Sequence, residues 1–234
     1  MVRATAALAG CLLVCLHATA QNPPRPVRVV IASERLPTVS DAPRHFRVLR
    51  VELAKGQSAS YSGPNGYIYV VSGKAALSAG AAQRTLGQGE AAFVRTGEAT
   101  RLQGAAVIVH FILDAGSPGT AAPYKGGKVT ELYRTGDPIP GLESGPYEFS
   151  LTKVTSPPKV KPPLHHRSGA AIYYVLEGGG TLHTESGSEP RKAGAVQYEP
   201  RTFTHTWENS GTVPLVLLQA NLSQEGKPDI IFLR

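Results

Sequence analysis

Residues 67–73 read Tyr-Ile-Tyr-Val-Val-Ser-Gly, and residues 172–178 read Ile-Tyr-Tyr-Val-Leu-Glu-Gly. The two runs lie 105 residues apart (67 against 172), are rich in aromatic and β-branched side chains, and each ends in a glycine. A run of this kind bounded by turn-forming residues is typical of a β-strand. Because self-similarity at a fixed offset is the signature of a repeated unit, the pair predicts two copies of one β-rich unit.

The alignment continues without a gap over residues 60–104 and 165–209. The matching landmarks are Gly89 with Gly194, Phe93-Val94-Arg95 with Tyr198-Glu199-Pro200, and Thr100 with His205. An apolar run follows each copy, at residues 107–113 and 213–220. The chain therefore contains a tandem duplication.

Composition supports an all-β fold of two barrels. The 234 residues are 41% hydrophobic, which is enough for one or two cores and excludes a disordered or collagen-like chain. The 25 Gly and 19 Pro favour short strands and tight turns over helical bundles. We expect an N-terminal arm at residues 21–44, a first barrel at 45–114, a linker at 115–128 and a second barrel at 129–234.

The first 20 residues have the pattern of a signal peptide. One positive charge, Arg3, precedes an apolar run too short to span a bilayer, and Ala18-Thr19-Ala20 forms a cleavage site. Cleavage would remove Cys11 and Cys15, the two cysteines of the chain, so no disulfide or thiolate ligand is expected. The alternative is a lipoprotein, because residues 8–11 read Leu-Ala-Gly-Cys. Both interpretations predict export, periplasmic or secreted, with no transmembrane segment.

The charge favours small anions over nucleic acid as partners. The net charge is +7, or +6 once Arg3 is removed, and the tightest basic cluster is Lys153, Lys159, Lys161 and Arg167. No basic helix or basic stripe interleaved with aromatic residues accompanies it. We expect most of these charges to be solvated and the cluster to be able to attract an anionic small molecule.

The second copy carries the chemically informative strands. Phe203, His205 and Trp207 alternate with polar residues, which predicts a half-buried strand with His205 on its apolar face. On the upstream strand, alternation places His165 and Arg167 on one face and His166 on the other. His165 and His205 can then converge in the mouth of a barrel, where small barrels keep their ligands.

Two converging imidazoles suit a divalent transition metal such as Mn, Fe, Ni, Cu or Zn, but two ligands hold an ion poorly. The sequence leaves the third ligand open. It could be His166, if a bulge at Ser168-Gly169 turns it inward, or one of His183, Gln219 and Tyr198. The alternative is that His165 and His205 are hydrogen-bonded core histidines.

Residues 159–209 resemble the cupin family. They keep His165 and Gly178 of its first motif, and Gly194, Pro200, His205 and Asn209 of its second. The resemblance implies two tandem cupin-type double-stranded β-helix barrels, also called jelly rolls. It also implies a metal site in the second barrel, dioxygenase or isomerase chemistry, and association through sheet edges into a homodimer.

The departures from the family pattern concern the ligands. Arg167 stands where the pattern has its second His, Ala171 where it has its Glu, and Thr202 where it has a Gly. An arginine opposes a nearby cation but suits a carboxylate or phosphate; alternatively it reaches the barrel rim. In the first copy the four ligand positions hold Ser60, Ser62, Gly66 and Thr100, so the resemblance implies a degenerate barrel without a metal site.

Three functions follow from these observations. The first is a metal-dependent enzyme with His165, His205 and a third ligand such as His166. The second is a binding barrel without catalysis, in which Arg167, Tyr173 and Trp207 contact an anionic small molecule. The third is a structural role with both barrels filled by side chains.

Overall fold

The computed structural model describes residues 24–116 and 123–233. The predicted signal peptide, with Cys11 and Cys15, lies outside the described residues, as does the centre of the predicted linker. Within the described ranges all regular structure is β, which confirms the all-β fold. None of these residues forms a helix that could cross a membrane.

The first half of the chain contributes eight strands. They are β1 (Val27–Leu36), β2 (Arg44–Tyr61), β3 (Gly66–Ala79), β4 (Ala82–Gly87), β5 (Ala91–Val94), β6 (Thr100–Ala115), β7 (Tyr124–Lys125) and β8 (Lys128–Arg134). The sheet of the first barrel has the order β4-β3-β6-β2-β7, with β5 on β3 and β8 on β2. Register shifts interrupt its long strands β2 and β3, at Leu53/Gln57 and Val70/Ser72, as expected where a strand bends to close a barrel.

The second half contributes nine shorter strands. They are β9 (Tyr147–Ser156), β10 (His165–Arg167), β11 (Ala170–Glu177), β12 (Gly179–Thr184), β13 (Gly187–Lys192), β14 (Val196–Glu199), β15 (His205–Glu208), β16 (Leu215–Gln224) and β17 (Ile230–Phe232). They form two antiparallel sheets, ordered β1-β9-β16-β11-β14 and β13-β12-β15-β10-β17. The predicted duplication is confirmed, because β4 and β13 begin 105 residues apart (82 against 187), and so do β5 and β14 (91 against 196).

The strands cross the boundaries that the sequence predicts between arm, barrels and linker. The segment expected to be an N-terminal arm supplies β1, an edge strand that pairs with β9 along Val27–Leu36. Conversely, β7 and β8 pair with β2 and belong to the first barrel. The strand pairing at this junction thus differs from the predicted linker at 115–128 and second barrel from 129. Local composition does not reveal which distant strand will satisfy the hydrogen bonds of a sheet edge.

One hydrophobic core joins the barrels. It combines Phe46, Tyr67 and Phe111 of the first half with Phe149 and Leu218 of the second. The Tyr67 hydroxyl donates a hydrogen bond to the backbone oxygen of Phe149 across the junction, at 2.6 Å. Each barrel also has its own apolar cluster. The second cluster occupies only part of its barrel, and a cavity lies beside it.

Candidate functional site

A cavity of 530 Å³ opens into the second barrel. On β16, residues at odd positions face the barrel interior, so Leu215 and Leu217 line the cavity wall. Val154 from β9 and Trp207 from β15 complete the apolar part of the wall. Its volume lies within the range of about 300–1,000 Å³ usual for pockets that hold organic ligands.

The polar part of the wall is basic. Four cationic side chains line the cavity, Arg25, Arg28, Lys161 and Arg167. Among the described residues no Asp or Glu lines it. A low-dielectric cavity with charges of one sign concentrates ligands of the opposite sign, so this cavity favours anions.

Arg167 is held by a buried carboxylate. Its Nε donates to Oε2 of Glu199 at 3.1 Å, and both side chains are almost fully buried. The same carboxylate accepts a hydrogen bond from Nε1 of Trp207 at 2.9 Å. Burial raises the pKa of Glu199. The neighbouring charges and the hydrogen bonds to its carboxylate lower it by more, so that the pKa lies below its usual value. An ionised Glu199 thus balances the charge of Arg167.

His205 lies against the same carboxylate. Its Nε2 is 2.8 Å from Oε1 of Glu199, an ion-pair distance without good hydrogen-bond alignment. Its Nδ1 lies 2.8 Å from the backbone oxygen of Phe203. Both ring nitrogens of His205 therefore lie close to oxygen acceptors of the protein.

His165 is a neutral neighbour of His205. It faces His205 across the ladder of β10 and β15, with ring centroids 4.5 Å apart. The pKa of His165 is lowered to about 4, mainly by burial and also by its neighbours His205 and Arg167, although the carbonyl of Pro163 acts in the opposite direction. Nδ1 lies 3.0 Å from that carbonyl oxygen. In the neutral ring Nδ1 therefore carries the proton, and Nε2 is left as an acceptor.

One donor of Arg167 is unsatisfied. Its Nη1 is buried and has no hydrogen-bond partner within the described residues. The guanidinium also lies over the ring of Tyr173, 5.4 Å from its centroid. A buried charged donor left without an acceptor is costly, so Arg167 is arranged to receive an acceptor that the protein does not supply.

Arg28 reaches this site from β1. Its Nη1 donates to Oε1 of Gln219 at 2.9 Å, and its Nη2 lies 4.0 Å from Oδ2 of Asp229. Burial lowers the pKa of Arg28, whereas Asp229 and Glu199 raise it. The first segment of the chain thereby adds a cation to the cavity of the second barrel.

The structure brings most of the predicted residues together. His165, Arg167, Tyr173 and Trp207 line the cavity, and His205 lies buried behind His165. That they bind a ligand stays a prediction.

The structure does not bring His166, the predicted third ligand, to the histidine pair. Residues 165–167 pair with β17 in unbroken register, so no bulge turns His166 inward. It lines a separate, smaller cavity with Ser168 and Gly169.

The other candidates for a third ligand are engaged by other side chains. His183 lies between Ser188 and Glu208, Gln219 accepts from Arg28, and Tyr198 packs on Phe46.

Glu199 and Arg28 are the residues that the sequence did not predict. A signal for Glu199 exists in the duplication, because it aligns with Val94, which is fully buried in the first barrel. A carboxylate at a position equivalent to a core valine needs a charged partner. No comparable signal marks Arg28, because its place depends on the pairing of β1 with β9.

The side chains do not fit a four-ligand metal centre. The described residues contain no group of three or more His, Cys, Asp or Glu that could hold a metal ion. Both oxygens of Glu199 are engaged by Arg167, Trp207 and His205. Arg167 also places a permanent positive charge beside the histidine pair.

The interior of the first barrel is filled by aromatic side chains. Tyr124 and His110 share a hydrogen bond between Oη and Nδ1 of 2.8 Å, and Tyr61 packs against both rings. A Cβ at Gly66 would lie 2.5 Å from Nε2 of His110, so this position requires glycine. Burial lowers the pKa of His110 to about 3. Of the four degenerate ligand positions, Gly66 and Thr100 are buried, whereas Ser60 and Ser62 are exposed.

Comparison with known proteins identifies the fold. The family model of the cupin domain matches residues 152–220. Oxalate decarboxylase from Bacillus subtilis, in a structure at pH 4.6, is 14% identical over 93% of this chain and 80% of its own, with a TM-score of 0.61. A second structure of that enzyme, from a study of its Mn(II) centres, is 14% identical over 93% of this chain and 81% of its own, with a TM-score of 0.59. No curated protein matches the sequence. The similarity extends over both barrels. At this level of sequence identity it shows a shared fold and nothing more.

Proposed function

We propose that the second barrel of this chain, which has the fold of two cupin barrels in tandem and matches the cupin domain over residues 152–220, binds an anionic small molecule with an apolar body. The ligand class is a carboxylate attached to an aliphatic or aromatic group. The observation that carries the proposal is the buried, unpartnered Nη1 of Arg167 at a cavity without acidic lining among the described residues.

The anionic group of the ligand has two cations to contact. A carboxylate satisfies Nη1 of Arg167 by a charge-assisted hydrogen bond and gains from the nearby charge of Arg28. Glu199 keeps the guanidinium of Arg167 fixed, so little freedom is lost on binding. Lys161 is partly neutralised by Glu208, 3.7 Å away, and contributes mainly to attraction over distance.

The apolar body of the ligand has a matching wall. Leu215, Leu217, Val154 and the ring face of Trp207 offer apolar surface along the cavity. Each methylene removed from water there stabilises the complex by about 0.8 kcal/mol. A hydroxyl or amide group on the ligand would find an acceptor in the neutral ring of His165.

A divalent metal ion on the same barrel is the second candidate. The observation in its favour is the histidine pair, since each Nδ1 contacts a backbone carbonyl. Metal-bound imidazoles usually have this arrangement. A metal-dependent oxidoreductase of the cupin type would need ligands beyond these two, and Arg167 opposes the ion.

Export belongs to the same proposal. Its support is the apolar run and the Ala18-Thr19-Ala20 pattern in the first 20 residues. N-terminal sequencing of the protein from its native host should then begin at Gln21.

The binding proposal is tested by titration of the fluorescence of Trp207, the one tryptophan of the chain. Octanoate should change the emission in a saturable way. Arg28→Gln should weaken binding about tenfold, the effect of losing one charge-assisted interaction. Arg101→Gln, an exposed arginine of the first barrel, is the matched control and should have no effect.

Two outcomes would contradict the proposal. One is octanoate binding that is insensitive to Arg28→Gln. The other is the absence of any carboxylate response together with saturable quenching by Mn, Fe, Ni, Cu or Zn that His165→Ala abolishes, which would favour the metal site.

A further inference from the structure

A second cavity, of 250 Å³, lies at the end of the second barrel. The described residues that line it come from β10 and the turn after it, the turn that joins β14 to β15, the loop that ends at the start of β9, the end of β16 and the turn after it, and β17. It is separated from the large cavity by β10, because His166 points to the face opposite His165. Arg167 borders both cavities.

An unsatisfied polar atom borders this small cavity. Nδ1 of His166 is buried without a hydrogen-bond partner within the described residues. Buried polar atoms are nearly always hydrogen-bonded in folded proteins, so this orphaned atom indicates a missing partner.

The charges around the small cavity are mainly positive. Arg201 and Lys227 line it together with Arg167. Glu143, the one acid on its wall among the described residues, is already paired with Arg201 at 2.9 Å. Lys227 has no ion pair within the part of the chain that is described, and it projects from a turn beside the cavity.

The turn that carries Arg201 is strained. Thr202 has φ +65°, a left-handed conformation that costs a non-glycine residue free energy. Its backbone nitrogen donates to the backbone oxygen of Arg167 at 3.2 Å, which ties the turn to β10. Arg201 is fixed further by a hydrogen bond from Nη1 to the backbone oxygen of Gly141. Strain of this kind is often retained where it positions functional groups.

We propose that the small cavity is a second anion site, for a small inorganic oxyanion of the phosphate type. Its volume falls below the range of about 300–1,000 Å³ usual for pockets of organic ligands. Its cations come from three separate segments, which suits an anion with several acceptor oxygens. Among the described residues the two cavities share Arg167 alone, since His166, Arg201 and Lys227 line the small cavity and not the large one.

Isothermal titration of the full mature chain with inorganic phosphate tests this site. Saturable binding with one site per chain is the expected result. Lys227→Gln should weaken it about tenfold, as expected for the loss of one charge-assisted contact. Lys227 is exposed, so this variant is expected to fold, and Lys192→Gln on β13 is the matched control. His166→Phe, with its fold checked by circular dichroism, should also weaken binding.

Three results would overturn the site. They are the absence of saturable binding, an equal loss of affinity in Lys192→Gln and Lys227→Gln, and complete displacement of phosphate by octanoate, which would place phosphate in the large cavity. Failure of octanoate to bind, with phosphate binding intact, would remove the carboxylate proposal and leave this one.

Discussion

At the scale of single residues, Glu199 determines what the second barrel can bind. It orders Arg167, accepts a hydrogen bond from Trp207 and lies against His205. In its absence the buried guanidinium of Arg167 would lack its ion-pair partner. The same carboxylate is engaged on both oxygens, so the residues that resemble a metal site form an ion-pair network.

Glu199→Gln should destabilise the protein by about 3–5 kcal/mol, because it leaves buried charge without its partner. Urea denaturation followed by the fluorescence of Trp207 measures this loss. Glu189→Gln, an exposed partner of Arg191, should change stability by less than about 1 kcal/mol. The double variant Arg167→Met with Glu199→Leu should recover most of the loss. A cost of Glu199→Gln as small as that of Glu189→Gln would contradict this role.

At the scale of elements, the alternation of residues along a strand predicts much of the site. The rest depends on which strands pair at the sheet edges, and alternation does not predict this. Period-two alternation places His165, Arg167 and Trp207 on interior faces, as the strands confirm. It also separates His166 from them. It says nothing of β1, which brings Arg28 to the cavity from over a hundred residues away in sequence. Such a contact depends on which edges remain unpaired after the sheets form.

The turn between β14 and β15 gives a prediction at the same scale. Thr202→Gly should stabilise the protein by about 0.5–1 kcal/mol, because glycine adopts a positive φ without a steric penalty. Chemical denaturation measures the change. Thr181→Gly, within β12, should instead destabilise by a similar amount. If both substitutions destabilise equally, the turn is not strained as described.

At the scale of the whole molecule, the duplication was readable and the sharing of strands between barrels was not. The repeat is visible in the sequence because matching apolar runs recur at a fixed offset of 105 residues. The pairing of β1 with the second barrel, that of β7 and β8 with the first, and the common core around Phe149 arise from packing after the barrels close. We expect the described barrels to unfold as one unit for this reason.

Acid should destabilise this unit. The pKa of His110 falls from 6.5 to about 3 in the folded protein, and that of His165 to about 4. Between these values and 6.5 the unfolded chain binds more protons, so stability present above pH 6.5 is lost as the pH falls towards 4. The lowered pKa of Glu199 adds a further loss below its usual value.

The free energy of unfolding, measured by urea denaturation across this range, should therefore decrease on acidification. His110→Gln should reduce the slope of that decrease, because the variant lacks one of the two histidines. A slope that is unchanged in the variant, or stability that rises in acid, would show that His110 is not buried in its neutral form.

The central claim is that the large cavity of the second barrel recognises a negative charge on an apolar ligand. The most direct test compares octanoate with octanamide, which keeps the apolar chain and removes the charge, by calorimetric titration at neutral pH. We predict that octanoate binds at least about tenfold more tightly, as expected when one charge-assisted hydrogen bond is lost. Equal affinities for the two compounds, or tighter binding of octanamide, would contradict the account.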